Sequence, residues 1–241
     1  MESTLTFITG HTGGLGRQVA DSLNENEVLG IARTKRENVN YRQLESDISN
    51  YNSFEAVPEG IFNNQKVNIV LCAGQLGRVG GIENGSFEDW ERTFKVNVLG
   101  NTAVIYSLLP QMIKTGYGRI VFIAGGGAAY GYPMFSGYAL SKVAIVRQVE
   151  NIAIEMKDKI PNFSIIALAT GAMNTPMLDK VREAGAEIRT TVDIQEPVDF
   201  IKRFLSMEKR KAVPFSGRFL HVRDNMSSRK TKDKWLLRRM E

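Results

Sequence analysis

Short apolar runs alternate along the chain with apolar residues at helical spacing, and their order predicts the elements. Leu5 to Ile8 is an apolar, β-branched run, read as a strand. Leu15, Val19 and Leu23 then recur at helical spacing. Val28 to Ala32 predicts a second strand, and Tyr41 to Leu44 a short third. Tyr51 to Val57 reads as a weak helix. Val67 to Cys72 reads as a buried parallel strand, closed by Ala73-Gly74. Ser86 to Trp90 carries a helix-start signature, and that helix runs through Phe94, Val98, Val104 and Leu108 toward Pro110. Arg119 to Ala124 is the fifth strand, and a long apolar helix around Tyr138 reaches about Met156. Phe163 to Ala169 is the sixth strand, Glu196 to Ser206 an amphipathic helix, and Pro214 to Leu220 the last strand with its lead-in.

Size and composition narrow the class. A chain of 241 residues with 43% hydrophobic residues can bury one substantial core, so a single α/β domain is expected. No run of about 18 apolar residues spans a membrane. Met1-Glu2-Ser3-Thr4 shows no basic region before an apolar core, so no secretory signal is expected. Cys72 stands alone, which excludes an internal disulfide and a cysteine metal cluster. His11 and His221 are too few for a typical zinc site. The expectation is a cytoplasmic protein without a metal.

The charge of +5 is unevenly placed, since residues 223–241 carry +4 of it. The expected division is therefore a folded domain over 1–222 and a basic tail over 223–241. Trp235-Leu236-Leu237 is an apolar cluster inside that tail and needs a surface to cover it. A second copy of the chain is the leading candidate, and a disordered solubilising tail is the alternative. Nucleic acid is not expected, because one aromatic residue accompanies the charges and no nucleic-acid motif precedes them.

The candidate chemistry begins after the first strand. Thr9-Gly10-His11-Thr12-Gly13-Gly14-Leu15-Gly16 forms a glycine turn into a helix. Such a turn aims backbone N–H groups and a helix N-terminus at one spot, where an anion is favoured. Pyrophosphate is the expected guest, and a plain close-packed turn is the alternative. The second strand ends at Arg33-Thr34-Lys35-Arg36, where an acidic residue would hold a ribose 2′-hydroxyl. A guanidinium suits a 2′-phosphate instead, with Arg17 able to assist, so NADP(H) is favoured over NAD(H). A solvated basic loop would look the same. Tyr138 and Lys142, at i and i+4, share a helix face, and an ammonium there makes a phenol usable near neutrality.

The ordered set Thr9-Gly10-x-x-x-Gly14-x-Gly16, Ala73-Gly74, Asn97, Tyr138-x-x-x-Lys142 and Gly171-x-x-x-Thr175 resembles the short-chain dehydrogenase/reductase family from about Leu5 to His221. The resemblance implies a three-layer Rossmann-like α/β fold, with a doubly wound parallel sheet of about seven strands flanked by helices. It implies a nicotinamide cofactor, a small-molecule carbonyl substrate and a homodimer or homotetramer. Tyr138 then acts as general acid/base, and Lys142 binds the nicotinamide ribose and lowers the Tyr138 pKa. Asn97 interrupts its helix and links Lys142 to solvent through a water.

The cofactor contacts implied are Gly10, Thr12, Gly14, Leu15, Gly16 and Arg33 for the adenosine phosphates, and Asp47 and Ile48 for the adenine. Ala73 and Gly74 meet the adenine ribose, and Gly171, Met173 and Thr175 the nicotinamide carboxamide. Asp47 reads equally as a cap or turn residue. Residues 178–189 would cover the substrate.

Three positions depart from the family. Cys72 stands where an asparagine usually ties neighbouring strands, and it reads as a small buried hydrophobe. Thr170 replaces a proline. The catalytic serine falls on Gly125, or on Ala124 with a one-residue slip, and neither bears a hydroxyl. Ser136, Tyr130, Tyr132 or a backbone N–H of the glycine run are candidate replacements. Gly125-Gly126-Gly127-Ala128 with Phe135-Ser136-Gly137-Tyr138 resembles a subset of these reductases associated with bacterial surface-sugar pathways, which implies a sugar-like or nucleotide-sugar substrate. Two functions stay open: an NADPH-dependent carbonyl reductase, and a weak or inactive NADP-binding regulator or scaffold.

Overall fold

The computed structural model describes residues 3–51, 61, 65–186, 188 and 191–224. Its strands are β1 (Thr4–Thr9), β2 (Val28–Ala32), β3 (Arg42–Glu45), β4 (Lys66–Leu71), β5 (Tyr117–Ile123), β6 (Asn162–Ala169), β7 (Ala172–Met173), β8 (Thr191–Val192) and β9 (Arg218–His221). Seven of them make one parallel sheet in the order β3-β2-β1-β4-β5-β6-β9. β7 and β8 pair separately. The order reverses between β1 and β4, which opens a crevice at the carboxyl ends of those strands. The expected doubly wound sheet of seven strands is therefore present.

Burial explains the strand sequences. Leu5, Phe7, Ile8, Val67, Ile69, Val70, Ile120, Val121, Ile165 and Ile166 are fully enclosed, as strands covered on both faces must be. The helices are α1 (Gly14–Ser22), α2 (Phe87–Phe94), α3 (Asn101–Thr115), α4 (Ser136–Met156), α5 (Pro176–Glu183), α6 (Gln195–Leu205) and α7 (Lys209–Ala212). α1 packs on α6, while α3 lies on β4 and α4 on β6.

Several boundaries differ from the sequence reading. Tyr41 precedes β3 rather than opening it, because its ring is buried beside His11. The helix capped by Ser86, whose Oγ accepts from the Asp89 N–H at 3.2 Å, does not stop near Pro110. It continues to Thr115 and ends at Gly116, which holds a left-handed φ of 63°. The bond that Pro110 cannot make falls beside the exposed Tyr106, where water can satisfy the freed carbonyl. The last strand begins at Arg218, after a single tight turn over Val213–Phe215. The weak helix expected from Tyr51 falls almost wholly outside the described residues, as does the basic tail beyond Asp224. Among the described residues no helix is long and apolar enough to cross a membrane.

Candidate active site

A cleft of about 1870 Å³ runs along the carboxyl ends of the strands. Gly10, Thr12, Gly14, Leu15 and Gly16 all line it. Gly10 turns sharply with φ 70°, and a Cβ there would sit 2.9 Å from the Ala73 Cα. A Cβ on Gly16 would run into the Gly10 carbonyl, so α1 can approach its strand only with glycine here. Gly13 faces open space, with nothing within 4 Å of a Cβ. No side chain caps α1 and no acidic residue occupies its first turn. The turn thus presents an uncapped helix N-terminus to the cleft, a fit for pyrophosphate on this structure's own geometry.

Behind the turn, His11 is fully buried and stacks against Gly30, the β2 residue whose missing side chain makes room for it. His11 Nδ1 lies 3.1 Å from the Tyr41 hydroxyl. Burial, then the nearby Arg36 charge, pushes the His11 pKa down. Arg36 donates to Tyr41 at 2.9 Å and grips both oxygens of Asp21 at 2.7 and 3.2 Å. Its backbone exchanges hydrogen bonds with the Gln43 side chain. Arg36 is therefore turned back onto α1, and Arg17 also pairs with Asp21, at 3.7 Å. Of the basic residues after β2, Arg33 lines the cleft, with Thr34 beside it.

Asp47 and Ile48 line the same end. Asp47 Oδ1 accepts from the Ser49 N–H and hydroxyl, at 2.9 and 2.7 Å. Those bonds hold its carboxyl below the usual range. The turn role and the cleft position coexist.

Asn97 sits in a π-helical turn, Lys95–Gly100, that joins α2 to α3. The expected interruption of the helix takes this widened form. Asn97 is fully buried. Its Oδ1 accepts from the Gln75 N–H at 2.8 Å, and its Nδ2 donates to the Gln75 carbonyl and to Ser141 Oγ, both at 3.0 Å. Ser141 Oγ in turn donates to the Tyr138 carbonyl at 2.6 Å. Asn97 thereby locks the residue after Gly74 to the helix of Tyr138.

Sequence reasoning missed Asn101, Thr9 and Ser141. Asn101 Nδ2 donates to the Val96 and Asn97 carbonyls of the π-turn and to the Ala73 carbonyl at 2.9 Å. Its Oδ1 accepts from Thr9 Oγ1 at 2.8 Å, and Thr9 Oγ1 accepts from the Ala73 N–H at 3.0 Å. Thr9 and Asn101 so tie β1 to the end of β4 where Cys72 cannot. The available signal was spacing: Asn97 and Asn101 share a helix face, and a serine three residues after a helical tyrosine back-bonds to its carbonyl. Cys72 lines the cleft, its thiol pushed up to about 12 by burial.

Tyr138 and Lys142 meet at the end of β5. Lys142 Nζ lies 5.2 Å from the Tyr138 ring centre and donates to the Ile123 carbonyl at 2.9 Å. Burial pushes Lys142 down to about 8, and burial with the adjacent Tyr132 pushes Tyr138 up to about 12. Burial dominates the Tyr138 pKa, and the lowering expected from Lys142 does not set its direction. Gly125 faces this pair, for a Cβ on it would sit 3.5 Å from Tyr138 Oη. That contact identifies Gly125 as the residue facing the tyrosine hydroxyl. Ser136 lines a small separate hollow with Trp90 and does not line the cleft. Tyr130 and Tyr132 do line it.

Gly171, Met173 and Thr175 complete the far wall, with Thr175 Oγ1 donating to the Met173 carbonyl at 3.2 Å. Among the described residues no group of three or more His, Cys, Asp or Glu could hold a metal ion.

A family model described as short chain dehydrogenase matches residues 4–186. A 3-ketodihydrosphingosine reductase of Bacteroides thetaiotaomicron is 27% identical over 183 residues, 74% of this chain and 67% of that protein. An NADPH-dependent pterin aldehyde reductase of Arabidopsis thaliana is 28% identical, over 71% of this chain and 76% of its own. Among solved structures, the aldohexose dehydrogenase of Thermoplasma acidophilum superposes with a TM-score of 0.78 at 23% identity, covering 92% of both chains. An actinorhodin polyketide ketoreductase variant with NADPH superposes at 0.79 and 22% identity, over 91% of this chain and 95% of its own.

Proposed function

Because the chain belongs to the short-chain dehydrogenase family, we propose that it is an NADPH-dependent reductase that converts a carbonyl to an alcohol. The observation that carries this reading is one cleft holding both the bare glycine turn and, at the end of β5, the Tyr138 hydroxyl with Lys142 a turn further on. Gly10 to Gly16 would hold the pyrophosphate, Arg33 the 2′-phosphate, and Asp47 and Ile48 the adenine. Ala73 and Gly74 would meet the adenine ribose, Lys142 the nicotinamide ribose, and Gly171, Met173 and Thr175 the carboxamide. Held there, a nicotinamide would supply the hydride that the carbonyl carbon accepts.

Tyr138 does the proton chemistry. A phenol pushed up to about 12 stays protonated at neutral pH, the state a proton donor to a carbonyl oxygen requires. The resulting phenolate regains its proton through Lys142, which is still an ammonium at pH 7. Asn97 and Ser141 fix the helix start that carries Tyr138, while Thr9 and Asn101 fix the strand ends. We also propose a cytoplasmic location and a homo-oligomer, as the family resemblance implies.

A second reading rests on Gly125. Without a hydroxyl there, the carbonyl loses a donor worth roughly a hundred- to a thousandfold in rate. An inactive NADP-binding regulator would fit that loss. Following NADPH absorbance with a panel of ketones and aldehydes separates the two. Steady, enzyme-proportional oxidation supports the reductase, and NADPH binding without turnover on any member supports the regulator.

A further inference from the structure

The substrate end of the cleft has a composition of its own. A small apolar cluster, separate from the main core, is built on Leu76, Phe135, Leu178 and Val181. Tyr138 packs against it, together with Tyr132, Met134 and Met177. Two loops and α5 supply this wall. The cleft-lining residues drawn from 126–138 and 170–188 include no charged side chain among the described residues. The charges of α5 lie on its other face, where Arg182 pairs with Asp179 at 2.9 Å and reaches Asn174 at 2.7 Å. Tyr132 stacks on the buried Phe135 with ring centres 4.9 Å apart, an aromatic pair in the cluster that Tyr138 packs against. Met134 holds a positive φ of 68°, unusual for a residue with a Cβ, and its carbonyl is pinned by the Gly80 N–H at 2.9 Å. That strained turn keeps the loop against the cluster.

We infer that the substrate is a ketone or aldehyde with an uncharged, apolar alkyl or aryl body, presented carbonyl-first to Tyr138. The inference rests on the reductase reading and names the substrate class for it. A wall of this kind rewards burial of each methylene. It offers a polyhydroxylated body too few polar partners, and each hydroxyl stripped of water without a partner weakens binding. A sugar, the expectation drawn from the glycine run, therefore fits poorly. Two methionines of the wall, Met134 and Met177, give it adaptable side chains that suit bodies of varied shape. The raised Tyr138 pKa agrees with a wall that excludes water.

The test uses the full chain with NADPH and a series of methyl ketones from 2-butanone to 2-decanone, with an aldohexose as the polar arm. kcat/KM should rise about three- to fourfold per added methylene until the wall is filled. The aldohexose should fall at least about a hundredfold below the longer ketones, the effect of a few unpaired hydroxyls. Met177→Glu should flatten the chain-length slope while NADPH affinity, read by NADPH fluorescence, stays the same. A flat series, or a preference for the aldohexose, overturns the inference. If no carbonyl turns over, the reductase reading fails, and calorimetric binding of 2-decanone decides the substrate class separately. Binding that Met177→Glu weakens tenfold or more upholds an apolar site, and absence of binding rejects it.

Discussion

Lys142→Met should stabilise the fold while disabling it. The wild-type ammonium is buried with one hydrogen bond, to the Ile123 carbonyl. Its pKa falls from 10.5 to about 8, chiefly through desolvation. At about 1.4 kcal/mol per pH unit, that drop is a linkage of about 3 kcal/mol against the folded state at pH 7. Losing the bond to Ile123 offsets about 1 kcal/mol of it. A net gain of about 2 kcal/mol remains, or roughly 4–8 °C in Tm for a chain of this size. The pH dependence isolates the cause. Because the folded pKa lies below the unfolded one, the unfolded chain binds more protons between pH 8 and 10.5. Wild-type stability therefore rises through that window relative to the variant, by about the same 3 kcal/mol. Urea melts of both proteins at pH 7, 8, 9 and 10 measure the difference. A difference that does not change with pH refutes the reasoning, because then no buried ammonium titrates there.

Three further outcomes follow from the cleft. Arg33→Ala should weaken NADPH binding about ten- to a hundredfold, the worth of a charge-assisted hydrogen bond to a phosphate, and leave NADH binding unchanged; paired titrations check it. Gly125→Ser should raise kcat roughly ten- to a hundredfold, since Gly125 has extended backbone that any residue adopts and its Cβ would lie 3.5 Å from Tyr138 Oη; kcat at or below wild type counts against Gly125 as the vacant donor position. Asn97→Ala removes three hydrogen bonds of a buried side chain and should cost about 2–3 kcal/mol in urea melts.

The central strands were legible because they are buried on both faces and therefore read as apolar runs, as Ile165 to Ala169 does. The glycine turn was legible because Gly10 and Gly16 answer to backbone contacts that no other residue allows. Helix limits were less so. Pro110 reads as a stop, yet its helix face is exposed and tolerates the lost bond. Arg36 reads like Arg33 in sequence, but Asp21, fifteen residues earlier, draws it away from the cleft. The Thr9–Asn101–Ala73 tie joins three elements distant in sequence, and the shared helix face of Asn97 and Asn101 says nothing of the strand ends that Asn101 reaches. The apolar cluster beside Tyr138 was hidden for the same reason, since it assembles Leu76, Phe135 and Leu178 from three separate segments.

The central claim is that Tyr138 delivers the proton. Tyr138→Phe deletes one hydroxyl and keeps the ring that packs on the apolar cluster. NADPH oxidation with a ketone that the wild type reduces should fall at least about a hundredfold in kcat, the lower bound for a positioned general acid. NADPH affinity should hold within about twofold of wild type, because Lys142 and the glycine turn are untouched. Turnover at the wild-type rate with Tyr138→Phe would contradict the account.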